Sequence, residues 1–462
     1  MKNTIDQAIT GIEALRLAEV FGRVNRVQGL LIECSGLHHA LSVGSRCVIV
    51  ARDGREILTE VVGLQEGTAM LMPFTGVEGI GVGCKVKLES AASVIYPDIS
   101  WKGRIINALG HEMDGKGTLK RGDVPYALKA APPPASKRNR VEGKIDLGVR
   151  AINTFLTCCK GQRMGIFAGS GIGKSLLVSM LTKYSTAEIK VIGLIGERGR
   201  ELHEFIHEYL GEEGIKKAVI VAATSDESAL MRRQAAYLTM TIAEFFRDQG
   251  KDVLCLMDSV TRFAMAQREI GLSAGEPPAT KGYTPTVFVE MPKLLERAGP
   301  GTAKGSITGL FTVLVEGDDH NEPISDAVRG ILDGHIVLDR AIAERGRYPA
   351  INVLRSVSRT LPKCNSDAEN TLINRARQML STYENMAEMI RLGAYRKGSD
   401  AGVDEAMLYY PKIEAFLQQR GDESSTLAEG YARLQRIMEG KEGAAPPPRN
   451  AQEIPVLSGR KT

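Results

Sequence analysis

"FAGSGIGKSLL", Phe167 to Leu177, is the stretch on which the fold turns. An apolar strand breaks into glycines, and a lysine–serine pair then opens a new apolar run. That order predicts strand, phosphate-cradling loop and helix. Gly169, Gly171 and Gly173 let the backbone turn tightly, so that its N–H groups point at phosphate oxygens. The helix beginning near Lys174 adds the positive end of its dipole. Lys174 is placed for β- and γ-phosphates, and the Ser175 hydroxyl for Mg²⁺. The candidate nucleotide-binding residues are Gly169, Ser170, Gly171, Ile172, Gly173, Lys174, Ser175 and Leu176. Ala168 stands where such loops usually begin with glycine, which matters little for a residue that ends a strand. The bland alternative is a chance glycine-rich turn; the strand before it, the helix after it and the Lys–Ser pair weigh against that.

Outward from the loop, buried-strand runs alternate with helical patterns from about residue 145 to 360: "RMGIFAG", "KVIGLIG", "KAVIVAAT", "DVLCLMD" and "GLFTVLVEG", with the long helical pattern "ESALMRRQAAYLTMTIAEFFRDQ" among them. Strands alternating with helices predict a parallel sheet with both faces covered. Ligands bind such sheets at the C-terminal strand ends. Asp258 ends the run Val253–Met257 there and is a candidate Mg²⁺ acid. In "GLIGERGRE", Glu197 follows Val191–Gly196 at the same edge. It is the candidate to orient or deprotonate an attacking water, with Arg198 beside it. A solvent-paired cluster of Glu197, Arg198, Arg200 and Glu201 is the bland reading. In "RYPAINVLRSVSR", Tyr348 offers a flat face and Arg359 ends the stretch. An arginine so far from the loop suits a site completed in trans, worth ~10³–10⁵ in rate; an ordinary surface arginine is the alternative.

Before this region the texture differs. From Val20 to about Pro97 short β-branched runs alternate with glycine turns, predicting a small antiparallel barrel. Phe74 is the only aromatic residue between Arg23 and Val94, whereas a barrel for single strands uses several stacking rings. Residues 4–18 predict an amphipathic helix, with Ile5, Ala8, Ile9, Ile12 and Leu15 on one face. It reads equally as a packing strap or a docking helix. After residue 365 the pattern is helical and charged outside, and the end is expected to be disordered. The divisions are 1–19 docking helix, 20–97 barrel, 98–364 nucleotide domain, 365–440 helical domain and 441–462 tail.

Composition excludes little but sets limits. The 462 residues carry a net charge of +4, too small to argue for a nucleic-acid or membrane surface. Seven scattered cysteines, without metal spacing, suit a reducing cytoplasm. Neither a signal peptide nor a bilayer-spanning run is expected, so work at a membrane goes through partners.

Taken together and in order, these stretches resemble the catalytic and nucleotide-binding subunits of the rotary ATPase alpha/beta family. "YPAINVLRSVSR" is similar to that family's signature and "GERGRE" to its catalytic-glutamate motif. "VTRFAMAQREIGLSAGEPPATKGYTPTVF" is similar to the type III export branch. "DDHNEPISDAVRGILDGHIVLDR" and "MIRLGAYRKGSD" are similar to its flagellar members. The resemblance spans about Val20 to Gln419. It implies a barrel, a RecA-like P-loop α/β domain and a C-terminal helical domain. It implies Mg-ATP hydrolysis in a homohexameric ring driving flagellar protein export. Glu197 matches the catalytic glutamate, Arg198 its neighbour, Lys174 and Ser175 the phosphate and Mg²⁺ groups, Asp258 the metal-side acid, Tyr348 the adenine-packing ring and Arg359 the finger. A second adenine-stacking ring is unassigned; "FLQQRGD", Phe416 to Asp422, offers only Phe416. The implied partners are a stator-like negative regulator at the N-terminal helix, a stalk protein in the pore, and the export gate, chaperones and export substrates. The place implied is the cytoplasm, peripheral at the inner membrane. An injectisome ATPase, an RNA-translocating ring helicase and a nucleotide-binding subunit without turnover are the alternatives. The ring-poor barrel and modest charge count against RNA, and Glu197 with Lys174 counts against an inert subunit.

Overall fold

The computed structural model describes residues 20–37, 39–315, 317, 319 and 322–441. The expected docking helix and all of the tail after Lys441 lie outside the described residues. β1 (Phe21–Gln28), β2 (Leu31–Ser35), β3 (Arg46–Val50), β4 (Glu56–Gln65), β5 (Thr68–Pro73) and β6 (Lys85–Ser90) close an antiparallel barrel. Its strand order is β1-β2-β5-β4-β3-β6. In β2 and β3 buried residues alternate with half-buried ones, the period-two pattern of a strand with one face inward. Ile32, Cys34, Ile49, Leu71 and Val86 fill the interior without an aromatic ring.

The second unit is a mainly parallel sheet. Its strands are β7 (Ile105–Asn107), β8 (Arg163–Ala168), β9 (Ile189–Glu197), β10 (Ala218–Thr224), β11 (Asp252–Asp258), β12 (Ser306–Leu314), β13 (Gly334–Val337) and β14 (Val357–Ser358). They lie in the order β14-β13-β8-β12-β11-β9-β10-β7. Only β14 runs antiparallel to its neighbour along this path. β9, β10 and β11 are buried almost end to end, because helices cover both faces. On one face lie α1 (Arg150–Phe155) and α2 (Lys174–Tyr184), packed through Ile152, Phe155 and Leu181. On the other lie α3 (Ala229–Asp248), α4 (Val260–Ser273) and α5 (Pro285–Leu295), packed through Ala236, Phe246, Phe263 and Leu294. The edge strand β7 lies outside the buried-strand runs read from the sequence. Three residues are too few to show a period.

Buried charges hold this unit together and to the barrel. Arg297 is 1% exposed, yet all but one of its N–H donors meet oxygen: Nε and Nη2 the Glu244 carboxylate at 3.0 and 2.6 Å, Nη1 Leu128 O at 2.7 Å and Nη2 also Thr241 Oγ1 at 2.8 Å. Glu244→Gln leaves that guanidinium buried without its counter-charge, and we expect a loss of about 3–5 kcal/mol of stability. Urea unfolding checks it; an unchanged midpoint would mean that water reaches the arginine. Between barrel and sheet, Glu60 accepts from Arg233 Nη2 at 2.7 Å and lies 3.3 Å from Lys129 Nζ. Ser228, the N-cap of α3, donates to Phe74 O at 2.9 Å.

The chain ends in α6 (Asp367–Arg391), α7 (Ala401–Leu417) and α8 (Leu427–Met438). Ser366 with Glu369, and Thr426 with Glu429, form capping boxes that start α6 and α8. The helical unit docks on α1: Arg150 Nε donates to Phe416 O at 3.0 Å, its backbone N–H to Gln419 Oε1 at 2.8 Å, and Gln419 Nε2 to Gly148 O at 2.8 Å.

Candidate active site

The loop after β8 turns into α2 through Gly171 and Gly173, at φ +76° and +86°. Gly173 caps the helix, so Lys174 begins it. A Cβ at Gly173 would sit 3.1 Å from the Tyr348 ring. Glycine is therefore required there twice, for its backbone angle and for the ring beside it.

Lys174 Nζ donates to Asp258 Oδ1 at 2.5 Å and to Glu197 Oε1 at 3.1 Å. All three side chains are largely buried. Asp258 ends β11 and also accepts from Thr312 Oγ1 of β12 at 2.6 Å. Glu197 ends β9 after a register shift. The shift passes through Gly196 at φ +68°, where a Cβ would meet Arg262 Cβ at 3.1 Å. Burial works to lower the Lys174 pKa, but the charges of Asp258 and Glu197 outweigh it and hold the ammonium above its usual range. Burial pushes the Glu197 carboxyl up and Lys174 pulls it back, while Asp258 pushes it up again; it rises to about 7.

Ser175, second in the helix, has an exposed side chain. Its hydroxyl and the Asp258 carboxylate stand at the same sheet edge. They are hard oxygen donors of the kind Mg²⁺ takes, with phosphate and water completing its shell, so the residues present fit that ion. Arg198 is mostly exposed, with Nη1 3.8 Å from Glu201 Oε1. Arg359 is apart from all of these. Its backbone N–H donates to Asp333 O at 2.9 Å, and Asp333 N–H to Arg163 O at 2.8 Å. It is thus level with the start of β8, about 17 Å of strand from the loop and two strands to the side. Its side chain is exposed and makes no hydrogen bond or ion pair among the described residues.

A barrel, a parallel sheet domain and a helical unit are what the comparisons match. Residues 148–358 fit the ATP synthase alpha/beta family nucleotide-binding domain, 24–88 that family's beta-barrel domain, and 366–436 the T3SS EscN ATPase C-terminal domain. The flagellum-specific ATP synthase of Caulobacter vibrioides is 57% identical over 94% of this chain and 99% of its own. That of Bacillus subtilis is 49% identical over 91% and 96%. The chain belongs to the ATP synthase alpha/beta family. Among solved structures, the assembled ATPase EscN of the enteropathogenic E. coli type III secretion system superposes with a TM-score of 0.85. It is 39% identical and covers 90% of this chain and 99% of its own. EscN in complex with its central stalk EscO gives 0.82 at 38% identity, with the same coverage.

Membership of the ATP synthase alpha/beta family makes the chain an ATPase. It also gives the remaining neighbours of the loop a context. Arg340 Nη2 donates to Ser170 O at 3.2 Å, and Thr312 holds Asp258; sequence reasoning singled out neither. Both look like ordinary element residues until the fold closes. Phe416 is fully buried, edge-on to Phe155 with centroids 6.5 Å apart, so it forms no wall for a base. The stretch around it nevertheless reaches the site. Gln419 N–H donates to Tyr348 O at 2.9 Å, Tyr184 Oη to Gly421 O at 3.0 Å, and a Cβ on Gly421 would strike Leu176 at 2.6 Å.

Proposed function

We propose that this ATPase is the motor of a flagellar type III protein export apparatus, working as a homohexameric ring with each Mg-ATP site shared by two subunits. The flagellar assignment is supported by the higher identity to flagellum-specific relatives than to EscN. The shared site is supported by one observation above the rest: Lys174, Glu197 and Asp258 meet at one end of the sheet, and Arg359 stands at the other.

In this reading Gly169–Gly173 and the N-terminus of α2 bind the phosphates, with Ile172 and Leu176 fixing the loop against the core. Lys174 leaves its two carboxylates for a β- or γ-phosphate oxygen. Ser175 and Asp258 would hold Mg²⁺, which would supply positive charge against the phosphates. Glu197, released by Lys174, orients the attacking water and takes its proton. Arg198 steadies the carboxylates around it. Tyr348 packs on adenine, with its ring beside Gly173 and 36% of its surface open. Arg359 of the next subunit meets the charge that develops as the γ-phosphoryl departs. Tyr348→Ala is expected to cost about 1–3 kcal/mol of base stacking, raising KM for ATP with little change in kcat. Steady-state kinetics check it; an unchanged KM would remove Tyr348 from the base site.

No helix among the described residues is long and apolar enough to cross a membrane. Attachment to the cytoplasmic side of the inner membrane would accordingly run through partners: a stator-like regulator at residues 1–19, a stalk protein in the pore, and the export gate with chaperones and substrates. The test of the whole reading is Mg-ATP turnover per subunit against protein concentration. A shared site makes specific activity climb as rings form. Constant activity at all concentrations would sink it.

A further inference from the structure

The segment that follows Glu197 continues as a helix over Gly199–Glu204 and a wider π-turn over Phe205–Leu210. Phe205, Ile206 and Leu210 turn one face into the core. His203 and His207 lie on the exposed face, four residues apart and so stacked over one turn. Their ring centroids are 4.4 Å apart and their planes are tilted by 39°. Arg200, His203, Glu204 and Glu208 line a surface depression of ≈ 350 Å³ beside them.

We propose that His203 and His207 form a two-imidazole chelate for a borderline transition-metal dication of the Cu²⁺, Ni²⁺ or Zn²⁺ class. A metal about 2.0–2.1 Å from an imidazole nitrogen lies about 3.2 Å from the ring centroid. Two rings at right angles around one ion then have centroids about 4.5 Å apart, and at the tetrahedral angle about 5.2 Å. The observed spacing of 4.4 Å puts both rings within reach of one ion. Imidazole nitrogen selects these ions over Mg²⁺, so the site is separate from that of Mg-ATP.

The stretch His203–His207 has the H-E-x-x-H spacing of hydrolytic zinc centres. It is not one. No group of three or more metal-binding side chains converges among the described residues, and Glu204 accepts from Tyr209 Oη at 3.1 Å. Water fills the remaining positions on the ion. A bound ion would clasp the junction of helix and π-turn, six residues after the catalytic glutamate.

The test titrates nucleotide-free, full-length protein with CuCl₂ and reads frozen-solution electron paramagnetic resonance. Wild type is expected to show one copper per chain with two equatorial nitrogens. His203→Gln or His207→Gln alone is expected to weaken binding at least ~10-fold, since the second imidazole acts at high effective concentration. The double variant should lose the signal and keep Mg-ATP turnover within about twofold of wild type, a control that its fold is intact. A two-nitrogen signal that survives the double substitution overturns the proposal. So does a wild-type spectrum with a single nitrogen.

Discussion

Arg359→Ala is expected to lower Mg-ATP turnover by ~10³–10⁵ while leaving nucleotide binding to each chain nearly intact. The size follows from the role proposed for the residue: a cation placed against developing phosphoryl charge stabilises the transition state and not the bound substrate. The retention of binding follows from where it is. Arg359 is level with the first residue of β8, and the phosphate loop follows the last. No rotamer carries the guanidinium across the length of the sheet. Mixing separates the trans reading from a structural one. Arg359→Ala keeps its loop and Lys174→Ala keeps its arginine, and each alone is inactive. In a randomly mixed 1:1 ring about a quarter of the head-to-tail interfaces pair an intact loop with an intact arginine, and activity should return accordingly. Failure of the mixture to recover, with rings still assembling, would mean that Arg359 serves only its own chain.

Glu197→Gln is the second large effect. The amide keeps the size of the side chain and its contact with Lys174, but it cannot take a proton. Loss of a general base costs ~10²–10⁴ in rate, so the variant should bind Mg-ATP and scarcely turn it over. The pH profile adds an independent reading. Burial and the Asp258 charge hold the Glu197 carboxyl up at about 7 against the pull of Lys174. The working form is the carboxylate, so wild-type kcat/KM, which reports the free enzyme, should rise as pH climbs through about 7. In Glu197→Gln that limb should vanish. A variant that keeps both rate and limb would show that another group activates the water.

The phosphate loop and the strand ends were legible because an unbroken apolar run followed by a glycine or an acid is a local signal. The pattern over Gly169–Ser175 needed no knowledge of the rest of the chain, whereas Asp258 drew its weight from being paired with that loop. The link between Lys174 and Glu197 was not local. It depends on a register shift at Gly196 and on Arg262 packing from α4. Thr312 and Arg340 were invisible for the same reason, since a threonine in a strand and an arginine at a helix start carry no mark of the partner they will meet. β7 was missed because three residues show no period. Phe416 was the one ring in its stretch, and only packing against Phe155 reveals that it is part of the core.

Tyr348 is held from two sides by the helical unit. Its carbonyl takes the Gln419 amide at 2.9 Å, and its neighbour Arg347, whose donors bond Ile351 O, lies 3.0 Å from Glu414 of α7. In the proposed function the adenine wall is thereby mounted on the helices and not on the sheet that carries the phosphate loop. Whatever grips α7 and draws it an ångström aside changes how long a nucleotide stays. Thermodynamic reciprocity then requires the converse: the nucleotide in the site sets how firmly the helices hold whatever is gripping them.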